Sequence, residues 1–163
     1  MNLIVAVSDN WGIGYKNKLL FSVPADMKFF RETTKDSVVI MGRKTLESFP
    51  GKKPLKNRVN IVLTNHSDYK VEDAIICHSV QDAIEYSKKY DKEVFVIGGE
   101  AVYREFLPFC KKAYVTKIHA HSEADSFFPN LDENPDWKLE RISETFEDNG
   151  YKFEFTEYIK REC

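Results

Sequence analysis

A chain of 163 residues, 42% hydrophobic and 31% charged, is long enough for one domain with a sizeable core and short for two. Its 24 basic and 26 acidic side chains leave a formal charge of −2, with no basic stripe to suggest a nucleic-acid partner. No apolar run approaches a membrane span, and the three cysteines, Cys77, Cys110 and Cys163, form no CxxC pair, which fits a reducing cytoplasm better than a disulfide scaffold.

Residues 3–7 (Leu-Ile-Val-Ala-Val) form the continuous apolar run of a strand buried on both faces. No basic leader precedes it, so no signal peptide is expected. From Asp9 towards Ser22 the chain is rich in turn formers and lacks either period, which predicts a long loop of the kind that serves as a lid. Gly12-x-Gly14 within it is at most half of a dinucleotide fingerprint, because the third glycine is absent and no helix opens there. A helix is expected next, with Ser22 as its cap and Pro24 in its first turn. Asp26 falls in that turn, where a carboxylate commonly complements the helix dipole. Yet at about 100° per residue, Met27, Phe29 and Phe30 all lie within about 100° of it, so the acid sits inside the apolar stripe. A carboxylate flanked by Met and Phe is costly to bury and has its pKa pushed up. Such a group usually persists because chemistry uses it.

Residues 37–41 are a second buried strand, running into Gly42-Arg43-Lys44-Thr45, and Pro50-Gly51 stop the short helical turn that follows. Residues 58–63 make a third strand ending in Thr64-Asn65-His66, and residues 74–77 a short fourth. Ser79 caps a helix reaching about Lys89. Residues 93–97 are a fifth strand, broken by Gly98-Gly99, and a helix follows from about Ala101 to Leu107. Residues 113–118 form the sixth strand, and residues 151–157 alternate at period two, as a half-exposed antiparallel strand does. Strands alternating with helices through short connections imply a single α/β domain over residues 1–163. Its central sheet should be mostly parallel, with an antiparallel C-terminal edge strand and helices on both faces.

Ligands of such sheets bind at the carboxyl ends of the strands. Gly42-Arg43-Lys44-Thr45 joins main-chain N–H groups at a helix start with two cations and a hydroxyl, a set that suits a phosphate. Thr64-Asn65 adds polar side chains, and Gly98-Gly99 permits close main-chain approach. Three such ends on one edge favour a nucleotide with more than one phosphate, within reach of Tyr103. His119 and His121 share a strand face without further ligands at suitable spacing, so no metal site is expected. There is no nucleophile elbow and no P-loop.

Val23-Pro24-Ala25-Asp26-Met27-x-x-Phe30, Ile40-Met41-Gly42-Arg43-Lys44-Thr45 and Val96-Ile97-Gly98-Gly99-Glu100-Ala101-Val102-Tyr103 resemble, in order and spacing, three signature segments of bacterial dihydrofolate reductases. The resemblance covers essentially the whole chain, through Ile13-Gly14, Arg58, Tyr114-Val115-Thr116 and Asp125-Ser126-Phe127-Phe128-Pro129. It implies reduction of 7,8-dihydrofolate to tetrahydrofolate, with a hydride passing from NADPH to the pterin C6 and a proton to N5. It further implies a cytoplasmic monomer open to antifolate inhibitors. By the same resemblance Asp26 is the active-site acid, grouped with Phe21, Tyr103 and Thr116. Met27, Phe30, Phe49 and Leu55 would wall the substrate, with Val5, Ala6, Ile97 and Thr116 as floor, the last through a hydrogen bond that supports the acid. Arg58 would fork onto the substrate's glutamate carboxylate, which needs a planar bidentate donor. Arg43, Lys44, Thr45, Thr64 and Asn65 would take the adenosine phosphates, the two cations favouring NADPH over NADH. Gly98, Gly99, Glu100, Ala101, Val102 and Tyr103 would take the pyrophosphate and nicotinamide side, with the glycine pair joined by a cis peptide. Ala6, Ile13, Gly14, Leu19, Gly42, Leu63 and Ile97 complete the implied cofactor contacts. Phe21 departs from the family, standing where many members have tryptophan, as does Leu20 in place of a common proline. Glu100 replaces a third glycine found in some members, so its carboxylate must point away from a pyrophosphate. Two rivals lack what Asp26 implies. A pyrimidine reductase of riboflavin synthesis should have neither that acid nor Arg58, and a non-catalytic nucleotide-binding module does not need a buried acid.

Overall fold

β1 (Asn2–Val7) lies inside a mixed sheet with parallel neighbours on both sides, the environment its unbroken apolar run requires. The computed structural model describes residues 1–161, so Cys163 falls outside it. After β1 come a hairpin, β2 (Gly12–Tyr15) and β3 (Lys18–Leu19), then α1 (Pro24–Thr34), β4 (Val38–Gly42) and α2 (Arg43–Glu47). The alternation continues through β5 (Val59–Leu63), β6 (Ala74–Cys77), α3 (Val80–Ser87), β7 (Val94–Gly98), α4 (Glu100–Phe106) and β8 (Lys112–Ile118). The chain ends in β9 (Ser126–Phe127), β10 (Trp137–Ile142), β11 (Phe146–Asp148) and β12 (Tyr151–Lys160). The main sheet has the order β10-β12-β8-β1-β7-β4-β5-β6, parallel from β8 to β6.

Alternate residues of these strands feed two cores. Leu3, Val5, Val7, Val38, Ile40, Ile61 and Val96 pack with Ala83 and Ile84 of α3 and with Val102, Tyr103 and Phe106 of α4. Ile4, Val39, Met41, Val62, Phe95 and Ile97 pack on the other face with Leu46 of α2 and Phe29 and Phe30 of α1. Helices therefore cover both faces, and the parallel strands are buried on both, as their apolar runs predict. Ser79 caps α3 as expected, its side chain accepting from the Asp82 N–H at 3.1 Å.

Three expectations need correction. Residues 9–22 are not a structureless loop, because β2 pairs with β3 and with the distant β9 in a separate three-stranded sheet. Strands this short leave no period in the sequence, and β9 lies far along the chain. The antiparallel C-terminal strand exists but is not the edge. β12 sits between β8 and β10, and β10 takes the outer position. Only Trp137 of β10 is buried, Leu139 and Ile142 are exposed, and the pairing with β12 shifts register after Leu139, so no regular alternation runs through residues 137–142.

The third correction concerns α1. Val23 occupies the N-cap position and no local side chain caps the helix. Instead Asp148 Oδ2 accepts the Ala25 N–H at 2.8 Å, and Asn149 Nδ2 donates to the Ser22 carbonyl at 2.7 Å. A carboxylate from the far hairpin thus serves the exposed N–H groups and the positive end of the helix. Asp148→Ala should cost about 1 kcal/mol, lowering the thermal midpoint by roughly 2–4 °C, and Asp148→Asn should recover much of that. Thermal unfolding of the two variants checks it, and equal midpoints for Asp148→Ala and the parent chain would exclude the cap.

Candidate active site

α1 and β8 together hold the acid. Thr116 Oγ1 donates to Asp26 Oδ1 at 2.6 Å, across 90 residues of sequence. Burial pushes the Asp26 carboxyl above its ordinary range, and the Thr116 hydroxyl opposes that by favouring the ionised form. Of the expected apolar stripe around the acid, Phe29 and Phe30 pack on the Ile4–Ile97 core, whereas Met27 is 48% exposed. Tyr103 lies below the same region. Its ring is 4% exposed and its hydroxyl donates to the Ile4 carbonyl at 2.8 Å. Burial, with the Asp26 charge second, keeps that phenol neutral. Tyr103 therefore props the floor and does not present its hydroxyl to the cleft.

Gly98 and Gly99, joined by a cis peptide, form the turn from β7 into α4. Gly98 has φ +119°, and a Cβ there would lie 3.1 Å from the Tyr103 ring. Only glycine fits a backbone turned this way over a packed ring. A Cβ on Gly42, at the end of β4, would stand 3.2 Å from Val102. The two neighbouring strand ends thus offer bare main chain, a cradle that a cofactor's phosphates fit. Lys44 is exposed beside it, whereas Arg43 donates to Glu47 at 2.8 Å, one helical turn on. The lid reaches this edge too, since Asn17 Nδ2 donates to the Lys44 carbonyl at 3.2 Å.

Arg58, just before β5, is fixed by three contacts. Nε donates to Thr34 Oγ1 at 2.9 Å, one terminal nitrogen to the Lys56 carbonyl at 2.6 Å, and the other to the Arg31 carbonyl at 3.1 Å. Burial, then the Arg31 charge, lowers its pKa from the ordinary value. A guanidinium has five N–H donors, so one remains on each terminal nitrogen. That pair suits a carboxylate.

A family model for dihydrofolate reductase matches residues 1–160. The chain belongs to the dihydrofolate reductase family. It is 37% identical to the dihydrofolate reductase of Staphylococcus haemolyticus, over 97% of this chain and 94% of that one. It is 36% identical to that of Bacillus subtilis, over 99% and 95%. Among solved structures, the dihydrofolate reductase from Enterococcus faecalis complexed with NADP(H) and RAB-propyl superposes with a TM-score of 0.89. That match has 35% identity and covers 99% of this chain and 96% of that one.

The dihydrofolate reductase fold distributes the expected residues among three packed clusters. Phe30, Phe49 and Leu55 pack partly buried against the Ile4–Ile97 core, and Met27 is 48% exposed at the helix surface. Val5 differs, because its side chain belongs to the opposite core and only its main chain can face this side. Ala6 and Phe21 pack with Val23, Ala25, Ile118 and Phe155, the Phe21 ring lying 5.0 Å from that of Tyr151. Phe21 thus packs as apolar surface without a hydrogen-bond donor. Thr64 is buried with its hydroxyl accepting the His66 N–H at 3.2 Å, Asn65 is exposed, and Leu63 is half-buried. Leu19, on the lid, is 77% exposed, while Ile13 packs against the α3–α4 core.

Some positioning groups escape sequence reasoning. Asn60 is 2% exposed, and its amide bonds both the N–H and the carbonyl of Leu55 at 3.0 and 2.9 Å and the Arg58 carbonyl at 3.1 Å. It clamps the loop that carries Leu55 and Arg58. An amide inside an apolar strand is the one hint available beforehand. His119 and His121 lie beyond β8 and face separate carboxylates, Glu154 and Asp9. Among the described residues no group of three or more His, Cys, Asp or Glu could hold a metal ion, and no helix is long and apolar enough to cross a membrane.

Proposed function

We propose that this site reduces 7,8-dihydrofolate to 5,6,7,8-tetrahydrofolate with NADPH, in support of one-carbon metabolism. The observation that carries the reading is the partly buried Asp26–Thr116 pair at the strand edge that also presents the Gly98–Gly99 turn. NADPH, when bound, supplies the hydride to the pterin C6. Asp26 hydrogen-bonds the pterin 2-amino group and N3 and promotes protonation at N5, a task that a carboxyl with a raised pKa suits. Thr116 holds that carboxyl in place. Met27, Phe30, Phe49 and Leu55 wall the pterin and benzoyl rings, Ala6, Ile97 and the Val5 main chain form the floor, and Phe21 excludes water beside them. Lys44, Thr45, Thr64 and Asn65, with the Arg43 donors not used by Glu47, take the adenosine phosphates. The Gly98-to-Tyr103 turn takes the pyrophosphate, and Ile13, Gly14 and Leu19 close over the nicotinamide. Cys77 and Cys110, both buried free thiols, support a reducing cytoplasm as the setting, and the chain is read as a monomer there. Antifolates should compete for the pterin cleft.

Loss of reduced-nicotinamide absorbance on mixing NADPH, dihydrofolate and the protein tests the reading, with NADH as the control. No turnover, or equal rates with both cofactors, would overturn it. Arg58→Leu should weaken dihydrofolate binding by roughly tenfold to a hundredfold, as expected for a lost charge-assisted pair, while a pterin lacking the glutamate loses little. Equal losses for both ligands would make Arg58 only a tie between the end of α1 and β5.

A further inference from the structure

β9 contains only two residues, and its N–H groups do not all serve the lid. Asp125 N and Phe128 N, at its ends, donate to the Gly14 and Trp11 carbonyls of the lid segment at 3.0 and 2.9 Å. Phe127 N points elsewhere, and donates to Glu100 Oε1 at 2.7 Å. The other oxygen of that carboxylate accepts from Arg104 Nε at 3.4 Å, one turn along α4. Glu100 directly follows the Gly98–Gly99 pair, so a single side chain joins the turn to the small sheet β3-β2-β9. Within that sheet Gly12 pairs with Phe127 and Gly14 with Ser126, and Lys16 N donates to Asp125 Oδ2 at 3.0 Å. The carboxylate also satisfies the charge requirement of the position. Held by Phe127 and Arg104, it is kept to the side of the turn that these two groups occupy.

We propose that Glu100 is a positioning residue that ties the lid sheet to the glycine-pair turn, so that whatever orders the turn also orders the lid. The tie itself is independent of any ligand. Its consequence for the cofactor rests on the reading above that phosphates of NADPH lie along this turn. A charge-assisted bond to a main-chain N–H is among the stronger hydrogen bonds of a surface segment. Short strands with few contacts open locally at little cost, so one such bond has a large share in holding them.

Native-state amide exchange of the free protein tests the tie. In Glu100→Ala the amides of Phe127, Asp125, Phe128 and Lys16 should exchange on the order of tenfold faster, while those of β4 keep their protection. Glu100→Gln keeps an acceptor at the same reach without the charge and should recover part of the loss. Glu100→Asp keeps the charge but is one methylene short, and should behave like Glu100→Ala, serving in its place if that variant fails to fold. Unchanged exchange at Phe127, loss at Phe127 alone with Lys16 and Asp125 unaffected, or no recovery in Glu100→Gln would each overturn the proposal. NADPH dissociation supplies the second arm. Alanine and glutamine variants lose the same charge, so faster release from Glu100→Ala than from Glu100→Gln reports the tie, and equal rates would refute its coupling to the cofactor. Failure of the parent protein to bind NADPH would instead overturn the functional reading, with amide exchange still deciding the tie.

Discussion

Asp26→Asn is expected to lower turnover with dihydrofolate at neutral pH on the order of a hundredfold or more. Asparagine keeps the size of the side chain and can still accept from Thr116, so the geometry survives while the proton-linked group is lost. The loss should shrink at acid pH, where substrate is already protonated. The pH–rate profile of the variant should lose the limb that the carboxyl imposes on the parent enzyme, and a profile of unchanged shape would sink the assignment. Stability should move in the opposite sense. Burial raises the folded-state pKa of Asp26 above the ordinary 3.8, so the native state binds its proton more tightly than the unfolded chain does. Below that ordinary value both states are protonated and the carboxyl costs nothing. As pH rises from there through the raised folded value, stability falls, because a charge must then be kept from water. Asparagine carries no charge at any pH. Asp26→Asn should therefore melt above the parent protein at mildly alkaline pH and converge with it in acid, a comparison that thermal scans make directly. A site that becomes more stable as it becomes inactive is what a functionally retained acid should give.

Gly98→Ala should be the most damaging single-methyl addition in the cleft. The φ of +119° strains any residue with a Cβ, a cost on the order of 1–3 kcal/mol. The new methyl would also stand 3.1 Å from the Tyr103 ring, and the ring has little room to yield. It is buried, its edge meets Phe128 at a centroid distance of 4.9 Å, and its hydroxyl is bonded to the Ile4 carbonyl. Displacing it would disturb β1 and the floor beneath Asp26 together. The expected result is a thermal midpoint lower by several degrees and NADPH binding weakened at least tenfold, read by cofactor titration on protein that remains folded. Parent-like binding and melting in Gly98→Ala would show that neither the backbone conformation nor the space above Tyr103 matters.

Local chemistry made part of this site legible in advance. Asp26 betrays itself because helix periodicity is short-range, so its place among Met27, Phe29 and Phe30 can be read without the fold. The glycine pair after an apolar strand and the cations of Arg43-Lys44 are equally local. The cap of α1 is the opposite case. Ser22 has a capping side chain but stands one residue before the Val23 N-cap, and Asp148 from the β11–β12 hairpin takes the helix end. Where the helix begins, and which side chain meets its free N–H groups, is set by the packing of that distant hairpin. Arg43 is a local case, since Glu47 one helical turn on pairs with it and takes up part of its donor capacity.

The α/β alternation, the strands buried on both faces and the acid on a largely apolar helix face were legible in residue order alone. Each follows from residue type and spacing along a few turns or a single strand. The Thr34 contact that sets Arg58, the closing of the lid sheet by β9 and the place of β12 inside β10 came only with the packed fold. Those are pairings between groups distant in the chain, and nothing local encodes which of several compatible partners a hydrogen bond will meet. The choice is made when the strands pack and every buried polar group has to find a partner.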